Sequence, residues 1–250
     1  GGVGIYLTGS STLPTSTNLE YKYSGSNTGR GMGIIYNVAN STNNTNVNLV
    51  NSTGTTGGIV GIFANGGGTF TNNGDITGSS SALEFGIVSD GVNVVNAGNI
   101  TLGNATTQKK ANVGIYAKAN NTITNNGTVT VGENSVGIYG HAVDNNGTIN
   151  TGAGGTGIYS SGGDVNLNSG SINVGTGKAA AVYTNGSGQT IRANSGSTLT
   201  IGDNSFGFIN EGKTGVTGNR IISDISSINN LGNDTVYVYS ADSRTGAEVI

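Results

Sequence analysis

Carboxylate side chains are the groups in this 250-residue chain that could most directly perform catalysis, and they are scattered along it. Two Asp or Glu side chains a few ångströms apart can cleave a glycosidic bond, one as a proton donor and the other as a base or nucleophile. Glu133 and Asp203 occupy equivalent places in a repeated motif, but three repeats would separate them by roughly 14 Å. Asp144 and Asp164 lie one repeat apart, and neither is flanked by a basic residue. The pattern favours a protein that is not an enzyme, with a carbohydrate-active protein as the alternative.

Metal and cofactor sites are not predicted from the sequence. His141 is the single histidine and cysteine is absent, whereas a metal site needs several such ligands. Gly162–Asp164 resembles part of a calcium-binding nonapeptide, but it lacks the second glycine step and does not recur. No glycine cluster forms a phosphate-binding motif between a strand and a helix. We therefore expect neither a cofactor nor a metal.

Basic residues are few, and the net charge is −3. The largest basic cluster is the pair Lys109 and Lys110, which is too small for nucleic acid or an anionic membrane surface. No apolar run approaches the length of a membrane span, so we do not expect the chain to be embedded in a membrane. The lysine pair lies in an extended corner of the repeat, residues 104–113. Because such departures from a repeat often carry function, Lys109 and Lys110 are candidate binding residues.

An aromatic residue recurs after a small residue and an Ile or Val. If Ile138 points into the interior, the period of two places Tyr139 outside, and the other copies follow. Outward aromatic side chains in register could bind sugar rings or a protein surface. They could also simply stack on one another, which contributes roughly 0.2–1 kcal/mol per pair. Clear copies of this triplet end at Tyr6, Phe63, Tyr116, Tyr139, Tyr159 and Tyr183. Tyr116, Tyr139, Tyr159 and Tyr183 are the candidate binding residues.

A second motif alternates with the first and consists of Asn, a small or polar residue, Gly, and an aliphatic residue two positions later. The two motifs keep one order from Gly61 to Gly207, and the repeat of roughly 20 to 29 residues is typical of solenoid proteins. Asparagine tolerates left-handed backbone at a corner, and its amide can hydrogen-bond to amides above and below. We expect such a ladder from the asparagines that begin each copy: Asn72, Asn96, Asn125, Asn145, Asn168 and Asn194.

The strands that position these residues are predicted from apolar residues that alternate with a period of two. In the stretch TVTVGENSVGIYG, Val129, Val131, Val136 and Ile138 are predicted to point into the core, and Gly132–Asn134 to form a corner. Three short strands per repeat, separated by Gly and Asn corners, predict one coil of a parallel β-helix. A stack of hairpins could also use Asn–Gly turns, but the motifs show no mirror alternation.

We therefore predict an all-β chain that forms a single parallel β-helix of about ten coils, each with three short strands. The composition agrees, since 46 glycines and a hydrophobic content dominated by Val and Ile favour strands and turns over helices. Residues 1–250 are predicted to be one segment of a longer protein. Regular repeats cover 57–210, and irregular coils cover 1–56 and 211–250.

The repeats resemble the passengers of large fusobacterial autotransporter adhesins, the type Va secreted proteins of the RadD-like group. The likeness is carried by NNGTVTVGENSVGIYG, VGIYAKANNTITNNGTV and IGDNSFGFINEG, and it covers roughly residues 57–212. It implies a right-handed β-helix, secretion through the outer membrane by way of a C-terminal β-barrel, and display at the bacterial cell surface. It also implies adhesion to host cells or other bacteria. The matching motifs are scaffold motifs, so the resemblance assigns no functional residue.

The functional expectation is a β-helical stalk, a non-enzymatic segment of an adhesin that presents loops for binding. The expected partners are a host receptor or glycan, or a surface protein of another bacterium, and the segment is expected to be a monomer. Two alternatives remain from the sequence. One is a carbohydrate-active β-helix that binds or cleaves polysaccharide, and the other is a mechanical spacer without a ligand.

Overall fold

A computed structural model describes residues 2–13, 18–23, 30–51, 58–79, 83–118, 120–212, 215–225 and 230–250. Within these residues the chain forms short β-strands and one 3-10 turn, Gln108–Lys110. The strands are β1 Val3–Thr8, β2 Asn18–Tyr23, β3 Gly31–Asn37, β4 Thr42–Asn43, β5 Asn46–Asn51, β6 Ile59–Ala64, β7 Thr69–Asn72, β8 Ile76–Thr77, β9 Glu84–Ser89, β10 Asn93–Asn96, β11 Asn99–Leu102, β12 Val113–Ala117, β13 Thr122–Asn125, β14 Thr128–Val131, β15 Val136–Gly140, β16 Ala142–Asn145, β17 Thr148–Thr151, β18 Thr156–Ser160, β19 Val165–Leu167, β20 Gly170–Val174, β21 Ala180–Thr184, β22 Thr190–Ala193, β23 Ser197–Ile201, β24 Phe206–Asn210, β25 Arg220–Ser223, β26 Asn230–Leu231, β27 Val236–Ser240 and β28 Glu248–Val249.

Three parallel sheets run along the molecule. Sheet A has the strand order β1-β3-β6-β9-β12-β15-β18-β21-β24-β27, sheet C the order β4-β7-β10-β13-β16-β19-β22-β25-β28, and sheet B the order β2-β5-β8-β11-β14-β17-β20-β23-β26. The chain therefore visits A, C and B in turn, which confirms the predicted parallel β-helix. Among the described residues, β3 to β26 form about eight complete coils, and two strands at each end belong to partial coils. The expectation of about ten coils was slightly too high.

The core is a set of aliphatic columns, one or two from each sheet. Val129 of sheet B, Ile138 of sheet A and Val143 of sheet C are all fully buried, and each lies in register with a similar residue of the next coil. Each coil thus buries its apolar face against its two neighbours, which is how a repeat too small to have its own core becomes stable.

The prediction that Val136 fills the core is wrong. Val136 is half-exposed, while Gly137 and Ile138 are both buried, so burial in the strands of sheet A does not alternate strictly. A Cβ atom on Gly137 would lie 2.6 Å from the carbonyl oxygen of Gly157 and 2.7 Å from Cγ2 of Ile149 in sheet B. The small residue of the repeated triplet is therefore required by packing between sheets A and B.

Buried asparagines form the predicted ladder at the corner between sheets C and B, but only over part of its predicted length. Each Nδ2 donates to the Oδ1 of the next asparagine at 2.8–3.0 Å, through Asn43, Asn72, Asn96, Asn125 and Asn145. The Tyr36 hydroxyl donates to Oδ1 of Asn43 at 2.9 Å and caps one end. Burial raises the pKa of Tyr36 to about 12.

Asn168 and Asn194 do not belong to this buried ladder. Leu167 pairs with Asn145 and takes the interior position, because the corner that follows has one more residue than its predecessor. Asn168 is exposed and donates to Asn146 at 3.1 Å, and Asn194 donates to Asn168 at 3.2 Å. These two asparagines extend a second ladder on the outside of the same corner.

A search of the described residues for helices long and apolar enough to cross a membrane finds none.

Candidate functional site

Four tyrosines form a continuous stack on the outer face of sheet A. Tyr116, Tyr139, Tyr159 and Tyr183 are half-exposed and follow one another in register on β12, β15, β18 and β21. Their ring centroids are 5.1, 4.6 and 5.0 Å apart, with interplanar angles of 26°, 5° and 14°. The predicted outward orientation is therefore confirmed, and the four candidate tyrosines lie on one surface. We call these four residues the tyrosine column.

The faces of these rings are largely occupied by their neighbours. Each inner ring has a stacked ring on both sides, and Phe85 meets Tyr116 edge-on at 6.5 Å. At the other end, Ile209 pairs with Tyr183 in the next coil. A sugar ring binds an aromatic side chain through the ring face, so the stacking disfavours that mode of binding along most of the column. What the column presents to a ligand is mainly ring edges.

Some of the tyrosine hydroxyls are held by polar side chains at the corner between sheets A and C. Asn185 Nδ2 donates to the Tyr159 hydroxyl at 2.7 Å, and the Tyr183 hydroxyl donates to the Glu211 carboxylate. Burial and, next, the hydrogen bond to Glu211 raise the pKa of Tyr183. Burial followed by the neighbouring rings of Tyr159 and Tyr116 raises the pKa of Tyr139. Tyr139 and Tyr183 are thus uncharged at neutral pH, and hydrogen bonds fix the hydroxyls of Tyr159 and Tyr183.

A groove of about 530 Å³ lies beside the tyrosine column. Its floor combines the tyrosines with the first residues of the same strands, including the half-exposed Val136 and Thr156 and the buried Ala180. Phe85 and Ile209 lie at its two ends, and its rim is the corner between sheets B and A, where Asn134 and Gly154 lie. The volume is within the range of ligand-binding pockets. We call this surface the tyrosine groove.

The predicted extended corner folds over the rim of this groove. Ala105 donates its N–H to the Glu133 carbonyl at 2.9 Å, so the chain follows the next coil as far as residue 105. Residues 106–111 then have no counterpart in that coil. Gln108, at the start of the 3-10 turn, donates through Nε2 to the Gly154 carbonyl two coils away, at 2.8 Å. Gln108 and Ala111 line the groove, so the turn brings the exposed Lys109 and Lys110 to its edge.

Lys178 also lines the groove and was not among the residues predicted from the sequence. Gly154 donates its N–H to Thr176, and Gly177 and Lys178 donate theirs to Asp203 and Asn204. This corner therefore contains one more residue than the preceding one. Lys178 has a φ of +69°, a left-handed conformation that is unfavourable for a side chain other than Gly, Asn or Asp. The signal was present in the sequence, because the segment GTGKAA is one residue longer than GAGGT.

Several basic residues lie at or near the groove. The Arg30 guanidinium lies 4.8 Å from the centroid of Phe85 at one end. Lys178 lines the groove, and the exposed Lys109 and Lys110 lie in the chain between the lining residues Gln108 and Ala111. The ion pairs found among the described residues involve other basic groups, such as Lys118 with Asp90 at 3.2 Å. Three carboxylates lie nearby: those of Glu133 and Asp203 at the corner between sheets B and A, and that of Glu211, which accepts from the Tyr183 hydroxyl.

The acidic residues considered from the sequence take part in separate coil-to-coil contacts. Asp144 accepts a hydrogen bond from Asn166 at 2.8 Å, and Asp164 accepts one from the Thr190 N–H at 2.7 Å. Glu84 is a buried carboxylate that the sequence analysis did not single out, and it accepts a hydrogen bond from the Ser79 hydroxyl at 2.8 Å. His141 is half-exposed at a corner. The part of the chain that the structure describes contains no group of three or more His, Cys, Asp or Glu side chains suited to a metal.

No protein-family model, no curated protein and no solved structure matches this chain. Function must therefore be inferred from the groove and from the repeat sequence.

Proposed function

We propose that this chain is a non-enzymatic segment of a bacterial surface adhesin and that the tyrosine groove is its binding surface. The β-helix acts as a rigid support, and the groove contacts a molecule on a host cell or on another bacterium. In this proposal the chain is secreted through the outer membrane, as the resemblance of its repeats implies.

The observation that carries the proposal is the position of the two departures from the repeat that border the groove. The insertion 106–111 and the extra residue Lys178 arise in different coils, yet both line the same surface. If the extra residue served only to connect strands, glycine would be expected there, since glycine adopts left-handed backbone without strain. The chain has a lysine at this left-handed position. Backbone strain of this kind is more common at binding sites than elsewhere.

A mechanical spacer is the second candidate, and the unbroken register of sheet A favours it. The strands of this sheet pair in order from β1 to β27, which gives the stiffness a spacer needs. The stacking of the tyrosines would then serve stability alone, as aromatic ladders do in other sheets.

The two functions are separated by replacing Tyr116, Tyr139 and Tyr159 with isoleucine. Val88 and Ile209 occupy the same register position in neighbouring coils, so branched aliphatic residues fit there and the variant should fold. Adhesion of beads coated with the chain to epithelial cells and to other bacteria is measured beside circular dichroism. If the groove binds, the variant should lose adhesion while its spectrum stays unchanged. If the chain is a spacer, the variant and the unmodified chain should adhere equally.

A further inference from the structure

We propose that the ligand of the tyrosine groove is an extended acidic segment of a partner protein that lies along the axis of the β-helix. This inference rests on the proposed binding function of the groove and adds the chemical class of the ligand. The groove contributes three properties that favour such a ligand: electropositive ring edges, basic residues on the rim, and an apolar floor.

Ring edges are the part of an aromatic side chain that favours negative charge. The quadrupole of a tyrosine ring places negative potential on the face and positive potential on the edge. Because Tyr139 and Tyr159 stack with an interplanar angle of 5°, their faces are directed at each other and their edges at the groove. A carboxylate of the ligand is therefore attracted to this surface, while a cation, which prefers ring faces, is not.

The basic residues lie on the same surface of a chain that is acidic overall. Four of the 10 Lys and Arg residues, at positions 30, 109, 110 and 178, lie at the groove or beside it, although the chain has a net charge of −3. Such a local excess of positive charge attracts acidic partners and speeds their association. Glu133 and Asp203 at the same corner, and Glu211 beside Tyr183, reduce this excess from four charges to one and do not reverse it.

The length and the floor of the groove suit an extended polypeptide. From Phe85 on β9 to Ile209 on β24 there are five strand intervals, or about 24 Å. An extended segment of about seven residues spans that distance. Val136, Ala180 and the ring edges form an apolar floor, so alternate apolar side chains of the ligand can pack inward while the acidic ones reach the rim. A sulfated or sialylated glycan would match the charge but leave this floor without apolar partners.

The test uses three fluorescent probes with the 250-residue chain: a peptide of four Glu-Leu repeats, a peptide of four Lys-Leu repeats, and a sialylated oligosaccharide. The Glu-Leu peptide should bind in fluorescence anisotropy, and its affinity should fall as the salt concentration rises. Lys178→Asn removes one rim charge and should keep the fold, because Asn204 in the next coil and Asn134 two coils earlier adopt left-handed backbone at the same corner. It should weaken binding about two- to fivefold, the range of one exposed ion pair. Lys22→Asn, which removes an exposed lysine from sheet B, should leave binding unchanged.

The outcomes distinguish this inference from the function on which it rests. Preference for the Lys-Leu peptide or for the oligosaccharide, or equal effects of Lys178→Asn and Lys22→Asn, would overturn the acidic-peptide assignment. If none of the probes binds but isoleucine at the three tyrosines still abolishes cell adhesion, the peptide class is wrong and the binding function stands. If those isoleucine replacements leave adhesion intact, both are wrong.

Discussion

Gln108 donates a hydrogen bond through Nε2 to the Gly154 carbonyl at 2.8 Å, and this bond joins an inserted turn to a corner two coils away. The turn would otherwise project from the β-helix, because residues 106–111 have no partner in the adjacent coil. The bond holds the turn, which contains Lys109 and Lys110, against the rim of the tyrosine groove. The inserted turn is thus part of the groove.

Gln108→Ala should release this turn without unfolding the β-helix. One lost hydrogen bond at a partly exposed site lowers the free energy of unfolding by about 1 kcal/mol. The freed turn should become a better protease substrate, so trypsin should cleave after Lys109 and Lys110 faster than in the unmodified chain. Thr106→Ala, an exposed change in the same insertion, is the control and should cleave at the original rate. Equal rates for all three proteins would show that the Gln108 bond does not hold the turn.

The exposed asparagines at the corner between sheets C and B should tolerate substitution, whereas those of the buried ladder should not. Asn125 is buried, accepts from Asn96 at 3.0 Å and donates to Asn145 at 2.9 Å. Asn125→Ala leaves both neighbours with buried amide groups that have lost a partner, which should destabilise the chain by about 2–4 kcal/mol. Asn126→Ala, at the exposed adjacent position, should change stability by less than about 0.5 kcal/mol. Urea denaturation measures both, and similar midpoints would contradict the structural role of the buried ladder.

Acid should destabilise the C-terminal coil through Asp242. Its side chain is buried, and Arg244 donates to both carboxylate oxygens, at 2.8 and 2.9 Å. The hydrogen bonds from Arg244, and then that from the Asn219 N–H, outweigh burial and hold the pKa of Asp242 well below its ordinary value, which is near 3.9. The stabilisation is therefore present above about pH 4 and is lost as the pH falls from there toward the pKa in the folded state.

Asp242→Asn tests this pH dependence. Between pH 6 and pH 3 the unmodified chain should lose at least about 1 kcal/mol more stability than the variant, as measured by urea denaturation at each pH. Arg244→Gln should behave differently, because it leaves a buried carboxylate without its guanidinium and should destabilise the chain by about 3 kcal/mol at pH 7. Identical pH profiles for the unmodified chain and Asp242→Asn would contradict the assignment.

The parallel β-helix was predictable because the residue pattern within each repeat determines how consecutive coils align. The alternation of apolar residues and the fixed order of two motifs placed Ile138 inside and Tyr139 outside, as observed. The period of two failed at Val136, because Gly137 and Ile138 are buried in succession and the space beside Gly137 is filled by Ile149. No local pattern encodes such a contact between two sheets. Asn168 was misplaced for a related reason, since one extra corner residue shifted it out of the ladder.

The groove was only partly visible in the sequence. The tyrosines and the extended corner were each identified, but their proximity depends on Gln108 reaching across two coils. Sequence spacing gives no information on that distance. Lys178 was missed because a one-residue insertion is hard to recognise among repeats whose lengths already vary. A comparison of the corner lengths would have found it.

The most direct test of the binding groove fills it without disturbing the tyrosine stack. Thr156 is a half-exposed residue of the groove floor, and Thr128 is a half-exposed residue of the same type on the outer face of sheet B. Thr156→Trp should block the groove, and Thr128→Trp adds the same bulk to a different face. Adhesion of chain-coated beads to epithelial cells and to other bacteria should fall at least about tenfold, or about 1.4 kcal/mol, for Thr156→Trp and stay unchanged for Thr128→Trp. Equal adhesion of the two variants, with both folded, would contradict the assignment of the tyrosine groove as the binding surface.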